Sequence, residues 1–148
     1  MGELPVIARF AGVKSTMLVP VARQNMRKVL IVDDEENLRS GFHAFIEHYG
    51  CAVRSCDSGD EAVALAAQFK PDVLLCDLNL GSESGIEVAK QVRRSFPNCK
   101  IVLMSGIDIQ QVQSDSDTLF IVLQKPIELD DLLAAVGIQR DGTNLQPN

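Results

Sequence analysis

Residues 29–34 read Val-Leu-Ile-Val-Asp-Asp and residues 73–77 read Val-Leu-Leu-Cys-Asp; each is an unbroken run of four apolar residues that stops at a carboxylate. A strand with one wet face alternates apolar with polar side chains. A strand apolar on both faces belongs in a parallel sheet covered by helices on both sides. Ile101–Met104 and Leu119–Leu123 have the same character, whereas Cys51–Cys56 carries polar positions and reads as an edge strand.

The segments between these runs are helical. Leu38, Phe42, Phe45, Ile46 and Tyr49 share one face, with Glu35 and Glu36 in a first turn that favours negative charge and Gly50 after the last turn. Ser58-x-x-Glu61 is a capping box that opens a second helix through Ala62, Val63, Ala66 and Phe69, stopped before Pro71. A third, from about Ser84, buries Ile86, Ala89, Val92 and Phe96 before Pro97, with Lys90, Arg93 and Arg94 on its solvated face; a fifth, from Glu128, buries Leu129, Leu132, Leu133 and Val136. Asp108–Asp117 offers only Ile109 and Val112 as anchors and predicts a short fourth helix. Five strands alternating with five helices make a (βα)5 unit over residues 27–138. The fold class is α/β, a doubly wound parallel sheet. Residues 1–26 show no sustained period and read as a disordered N-terminal extension, and residues 139–148 as a disordered polar tail with no room for an output domain.

Composition bounds the function. The chain has 148 residues, 46% hydrophobic and 23% charged, as expected of one globular domain. Its 14 Lys and Arg against 20 Asp and Glu give a net charge of -6, which argues against direct nucleic-acid or anionic-membrane binding. Cys51, Cys56, Cys76 and Cys99 form no C-x-x-C pair and read as reduced core thiols; with two histidines in the chain they make no zinc cluster. His43 and His48 fall on the first helix and read as surface or packing residues. The apolar run Met17–Ala22 is interrupted by Pro20 and is too short to span a membrane, which points to the cytoplasm.

In an open parallel sheet a ligand sits beyond the C-terminal strand ends, near the point where strand order reverses. Those ends are Asp33-Asp34, Asp77, Ser105-Gly106 and Lys125-Pro126. If strands one and three are neighbours, three carboxylates converge. Such a cluster either holds protons or binds a hard cation such as Mg²⁺. A carboxylate flanked by a metal, a hydroxyl and an ammonium suits phosphoryl transfer to that carboxylate, which needs no general base because it is already ionised. Taken singly, each residue has an ordinary use: an acidic pair opens a helix, Ser-Gly makes a turn, Lys-Pro ends a strand. Their succession, each at its own strand end, carries the chemical reading.

The motifs VLIVDDEENLR (29–39), DVLLCDLNLGSESGIEV (72–88), IVLMSG (101–106) and LQKPIELDDLL (123–133) resemble the receiver domain of response regulators in bacterial two-component signalling. The resemblance implies a flavodoxin-like sheet of order 2-1-3-4-5. It implies Asp77 as phosphoacceptor and Mg²⁺ held by Asp34, Asp77, the Asn79 backbone carbonyl and, through water, Asp33. Ser105 would be the switch hydroxyl and Lys125 the phosphoryl-binding lysine, joined to Pro126 by a cis peptide. It further implies a stand-alone phosphoprotein of a phosphorelay, not an enzyme in its own right. Its donor would be a histidine kinase or a histidine phosphotransfer protein. It would reach a downstream protein through the fourth helix, fifth strand and fifth helix, with a phosphorylation-dependent dimer as one form of that contact. Three positions depart from the pattern. Gly81 replaces a common proline, which predicts a more flexible loop; Val122 replaces the usual switch aromatic; and an apolar run replaces the usual G-A-D-D approach to strand five. Two alternatives differ in class or control. An aspartyl phosphatase would carry D-x-D-x-T, which Asp77-Leu-Asn-Leu-Gly does not match, and a constitutive receiver, or a piece of a longer regulator, would keep the residues without the control.

Overall fold

A computed structural model describes residues 26–107 and 120–138. Its main sheet has five parallel strands: β1 (Lys28–Val32), β2 (Ala52–Cys56), β3 (Val73–Asp77), β6 (Lys100–Ser105) and β7 (Ile121–Gln124). Their order is β2-β1-β3-β6-β7, the expected 2-1-3-4-5 of a flavodoxin-like fold. Between β3 and the helix that follows it lies a two-stranded antiparallel hairpin, β4 (Asn79–Leu80) and β5 (Glu83–Ser84), which the sequence reading did not contain. The helices are α1 (Glu36–His48), α2 (Gly59–Phe69), α3 (Gly85–Ser95) and α4 (Leu129–Val136). The expected fourth helix over Asp108–Asp117 lies outside the described residues, as do residues 1–25 of the expected extension and the tail from 139.

The central strands are apolar on both faces because each face meets a helix layer. Leu30, Val32, Leu74, Cys76, Ile101 and Leu103 join Ala62 and Ala66 of α2 and Val88, Ala89 and Val92 of α3 in one cluster. The alternate residues Val29, Ile31, Val73, Leu75, Val102 and Met104 join Phe42 and Ile46 of α1 and Leu132, Ala135 and Val136 of α4 in the other. Each fully buried Leu or Ile among them contributes about 1.5–3 kcal/mol of transfer free energy, so the two clusters hold the sheet between its helix layers.

Several sequence expectations are corrected in detail. The fifth run begins its strand at Ile121 and ends at Gln124. It lies at an edge with Ile121 38% exposed, so it is covered less completely than its apolar composition suggested. Leu129 is 48% exposed rather than buried, because it stands in the first turn of α4 beside the loop leading out of β7. In α3, Val88 is buried while Ile86 and Phe96 are only partly so. Arg93 is not simply solvated, since its guanidinium lies 5.5 Å from the centre of the Phe120 ring.

Other expectations correspond to what the fold contains. Ser58 Oγ accepts the Glu61 N–H at 3.2 Å, and α2 ends at Lys70 in the left-handed region (φ 52°). All four cysteines are buried and unpaired, and burial pushes the thiols of Cys56 and Cys99 up to about 11. His43 packs between helix and sheet, its Nδ1 3.0 Å from Ser55 Oγ.

Candidate functional site

Strand order reverses between β1 and β3, which are neighbours although β2 lies between them in the chain. Their C-terminal ends therefore present Asp33, Asp34 and Asp77 together, with ligand atoms from all three carboxyl groups within 4.8 Å of one another. β6 runs beside β3 and delivers Ser105; β7 runs beside β6 and leads to Lys125, whose bond to Pro126 is cis. An open cleft of about 750 Å³ lies above, lined by Asp34, Asp77, Asn79, Ser105 and Lys125 among others.

Among the described residues the buried polar or charged side chains are Asp33, Asp77 and Ser105, all at the C-terminal ends of central strands. Such burial costs free energy unless each group finds partners. Asp33 Oδ1 accepts the Glu35 N–H at 2.9 Å in a turn ahead of α1; the N-cap of that helix is Glu35, not either aspartate of the acidic pair. That bond leaves Asp33 Oδ2 buried with no hydrogen-bond partner. Burial pushes the Asp33 carboxyl above the usual aspartate value; the Glu35 N–H opposes the rise and the neighbouring Asp77 and Asp34 charges add to it. Asp77 is 5% exposed and has both oxygens engaged: Oδ1 accepts the Asn79 N–H at 3.2 Å and Oδ2 meets Lys125 Nζ at 3.0 Å. Ser105 Oγ accepts the Ile107 N–H at 3.0 Å and donates to the Ile107 carbonyl at 3.2 Å.

Three carboxylates, one with an orphaned buried oxygen, suit a hard cation that prefers oxygen ligands. Asp33, Asp34 and Asp77 supply the donors. The structure thus brings Asp33, Asp34 and Asp77 together, with Asn79, Ser105 and Lys125 lining the same cleft.

Other residues escaped the sequence reading. Gly85 opens α3 so close to β3 that a Cβ there would overlap the Asp77 carbonyl oxygen and lie 2.8 Å from Leu78 Cα; its N–H donates to Leu78 O at 2.7 Å. Arg39 Nη1 donates to the Asp33 carbonyl at 2.9 Å, and Glu83 reaches from β5 to α2. Only the glycine inside the motif at 72–88 hinted at such an approach. In the hairpin turn Gly81 takes φ +73°, and its N–H donates to Asn79 Oδ1 at 3.2 Å.

The family model for the response regulator receiver domain matches residues 29–137. The chain belongs to the response regulator receiver domain family. That family consists of phospho-accepting signalling domains rather than conventional enzymes. Among curated proteins it is similar to the transcriptional regulatory protein LiaR of Bacillus subtilis, 40% identical over 90 residues that make 59% of this chain and 43% of that one. It is likewise similar to the uncharacterized transcriptional regulatory protein YxjL of the same organism, 37% identical over 86 residues, 57% of this chain and 39% of that one. The chain thus matches about two fifths of the length of these relatives. Among solved structures, the Vibrio cholerae chemotaxis protein CheY4 superposes with TM-score 0.69 at 27% identity, covering 75% of this receiver and 96% of that chain. A receiver protein from Sinorhizobium medicae gives the same TM-score and identity over 76% of this chain and 93% of the other. Among the described residues, no helix is long and apolar enough to cross a membrane.

Proposed function

We propose that this receiver accepts a phosphoryl group on Asp77 from a histidine kinase or histidine phosphotransfer protein and thereby switches its contacts with other proteins. The observation that carries the reading is that, among the described residues, the buried polar side chains are Asp33, Asp77 and Ser105, together at the C-terminal end of the sheet. A carboxylate oxygen of Asp77 attacks phosphorus, and the bond from phosphorus to the donor nitrogen breaks. The electron pair stays on the donor imidazole. No proton need leave Asp77. Lys125, already 3.0 Å from the carboxylate, pairs with the incoming phosphoryl oxygens. The Ser105 hydroxyl, now donating to Ile107 O, turns to donate to one of those oxygens.

Mg²⁺ is the cation proposed for Asp34, Asp77, the Asn79 carbonyl and, through water, Asp33. When bound it neutralises charge that would otherwise repel the phosphoryl group. The exchange of Ser105 partners alters the chain at Gly106 and Ile107, the start of the segment that leads to β7. We place the output on β7 and α4 and the residues between β6 and β7, with another protein as partner in the cytoplasm. Val122 offers no aromatic ring to this switch, which leaves the Ser105 exchange as its trigger.

Intact mass after incubation with acetyl phosphate, with and without Mg²⁺, tests the assignment. A Mg²⁺-dependent phosphoryl adduct is expected on the wild type and none on Asp77→Ala. An adduct that persists in the variant, or none on the wild type with either acetyl phosphate or a phosphohistidine donor, overturns it.

A further inference from the structure

Two strands of two residues each have too few hydrogen bonds to hold a hairpin in water. The β4–β5 hairpin nevertheless stands at the acidic cluster and bonds to it, through the Asn79 N–H on Asp77 Oδ1. Its base is closed by the Gly85 N–H on Leu78 O, and its turn by the Gly81 N–H on Asn79 Oδ1. A longer tie leaves the hairpin altogether: Glu83 Oε1 accepts the N–H of Gly59 at 2.8 Å. Gly59 is the first residue of α2, where backbone N–H groups have no partner within the helix and a carboxylate is favoured by the helix dipole. Ser58 caps the Glu61 N–H and leaves that of Gly59 to Glu83.

The seating is tight. A Cβ at Gly59 would lie 2.6 Å from Val88 Cγ2 and 3.1 Å from Glu83 Oε2, so the approach of β5 and α3 to α2 depends on a glycine there. Leu80, paired with Glu83 across the hairpin, is buried.

We propose that Glu83 is a positioning residue of the acidic site: its carboxylate fastens the β4–β5 hairpin to the first turn of α2, and the hairpin holds Asn79 against Asp77. The consequence for metal affinity rests on the proposed Mg²⁺ site, in which the Asn79 carbonyl is a ligand. Glu83 lines the cleft, but its Oε1 is taken by the Gly59 N–H. It acts through the backbone between residues 79 and 83.

Two variants of the full chain separate bond from charge. Glu83→Ala removes the acceptor, whereas Glu83→Gln keeps a carbonyl oxygen for the Gly59 N–H and loses the charge. Amide exchange over residues 79–84 is measured without metal, Mg²⁺ affinity by calorimetry, and urea unfolding confirms that any loosening is local. Glu83→Ala is expected to speed exchange across the hairpin and to weaken Mg²⁺ binding on the order of tenfold. Glu83→Gln is expected to stay close to the wild type in both. Wild-type exchange in Glu83→Ala overturns the proposal. So does a Glu83→Gln variant as weak for Mg²⁺ as Glu83→Ala, which would make the charge itself the cause. A wild type that binds no Mg²⁺, beside a Glu83→Ala hairpin that still loosens, overturns the metal reading and leaves the tie standing.

Discussion

Strand β3 has an aspartate at each end, and the two are used in opposite ways. Asp72, just before the strand, is exposed; its Oδ2 accepts the Lys28 N–H at 2.8 Å, a bond that helps set β3 beside β1. Asp77, at the far end, is buried beside Asp33 and Asp34 with an ammonium 3.0 Å away. Around Asp72 the sheet is stitched by backbone, with the Asp72 N–H on Lys28 O and the Lys100 N–H on Asp72 O. Around Asp77 like charges are gathered and an oxygen of Asp33 is left without a partner. One end spends its polar groups on holding the sheet together. The other gives up stability to keep groups available for chemistry, as functional sites commonly do.

The comparison breaks most severely at Gly85. In Gly85→Ala the new methyl overlaps the Asp77 carbonyl oxygen, so either α3 or the end of β3 must move. A loss of about 3 kcal/mol in urea unfolding is expected, the upper range for overpacking, together with loss of phosphoryl uptake. Near-native stability with normal uptake would show that the two backbones can part without cost, and the close approach would then have no role in placing Asp77.

Asp33→Asn sharpens the comparison from the other side. The amide keeps an oxygen for the Glu35 N–H and removes a charge from a fully buried position. Metal-free stability should rise by about 1 kcal/mol while stabilisation by Mg²⁺ is lost. The pH dependence has a definite sign. Burial raises the folded-state value of Asp33 above the ordinary 3.8, so the folded chain holds that proton more tightly than the unfolded one. Its contribution to metal-free stability is complete below 3.8 and is lost as pH rises through the raised folded value. Asp33→Asn should lack that decline in a pH series of urea melts. Identical profiles for variant and wild type would mean that the Asp33 charge costs nothing in the free protein.

What could be read from sequence follows the same division. Unbroken apolar runs report burial on both faces directly, so β1, β3 and β6, and the polar residues at their ends, were legible from residues 29–34, 73–77 and 101–105. β7 was harder, because its run Ile-Val-Leu is as apolar as the others although the strand lies at an edge. The β4–β5 hairpin was illegible because two-residue strands have no period to detect. The parts played by Gly85, Glu83 and Arg39 depend on close approaches between segments, as with Gly59 and Glu83, and no local pattern encodes these. Asp33 lies between these cases. A helix-opening use was expected of it, whereas the N-cap is Glu35 and Asp33 sits in the turn before, with one oxygen occupied and the other orphaned.

The smallest effect is expected at Asp72. In Asp72→Ala the Lys28 N–H loses its side-chain acceptor at an exposed position where water can replace it, while both backbone bonds through residue 72 remain. Unfolding should become easier by about 1 kcal/mol at most, and Mg²⁺ affinity and phosphoryl uptake should match the wild type. Residue type and strand are the same as for Asp77, so any difference between the two variants must come from surroundings. A fall in Mg²⁺ affinity in Asp72→Ala would mean that the field of a carboxylate at one end of β3 reaches the other. The acidic cluster would then owe part of its metal affinity to the charge of the whole domain, and the contrast between the two ends of the strand would be one of degree.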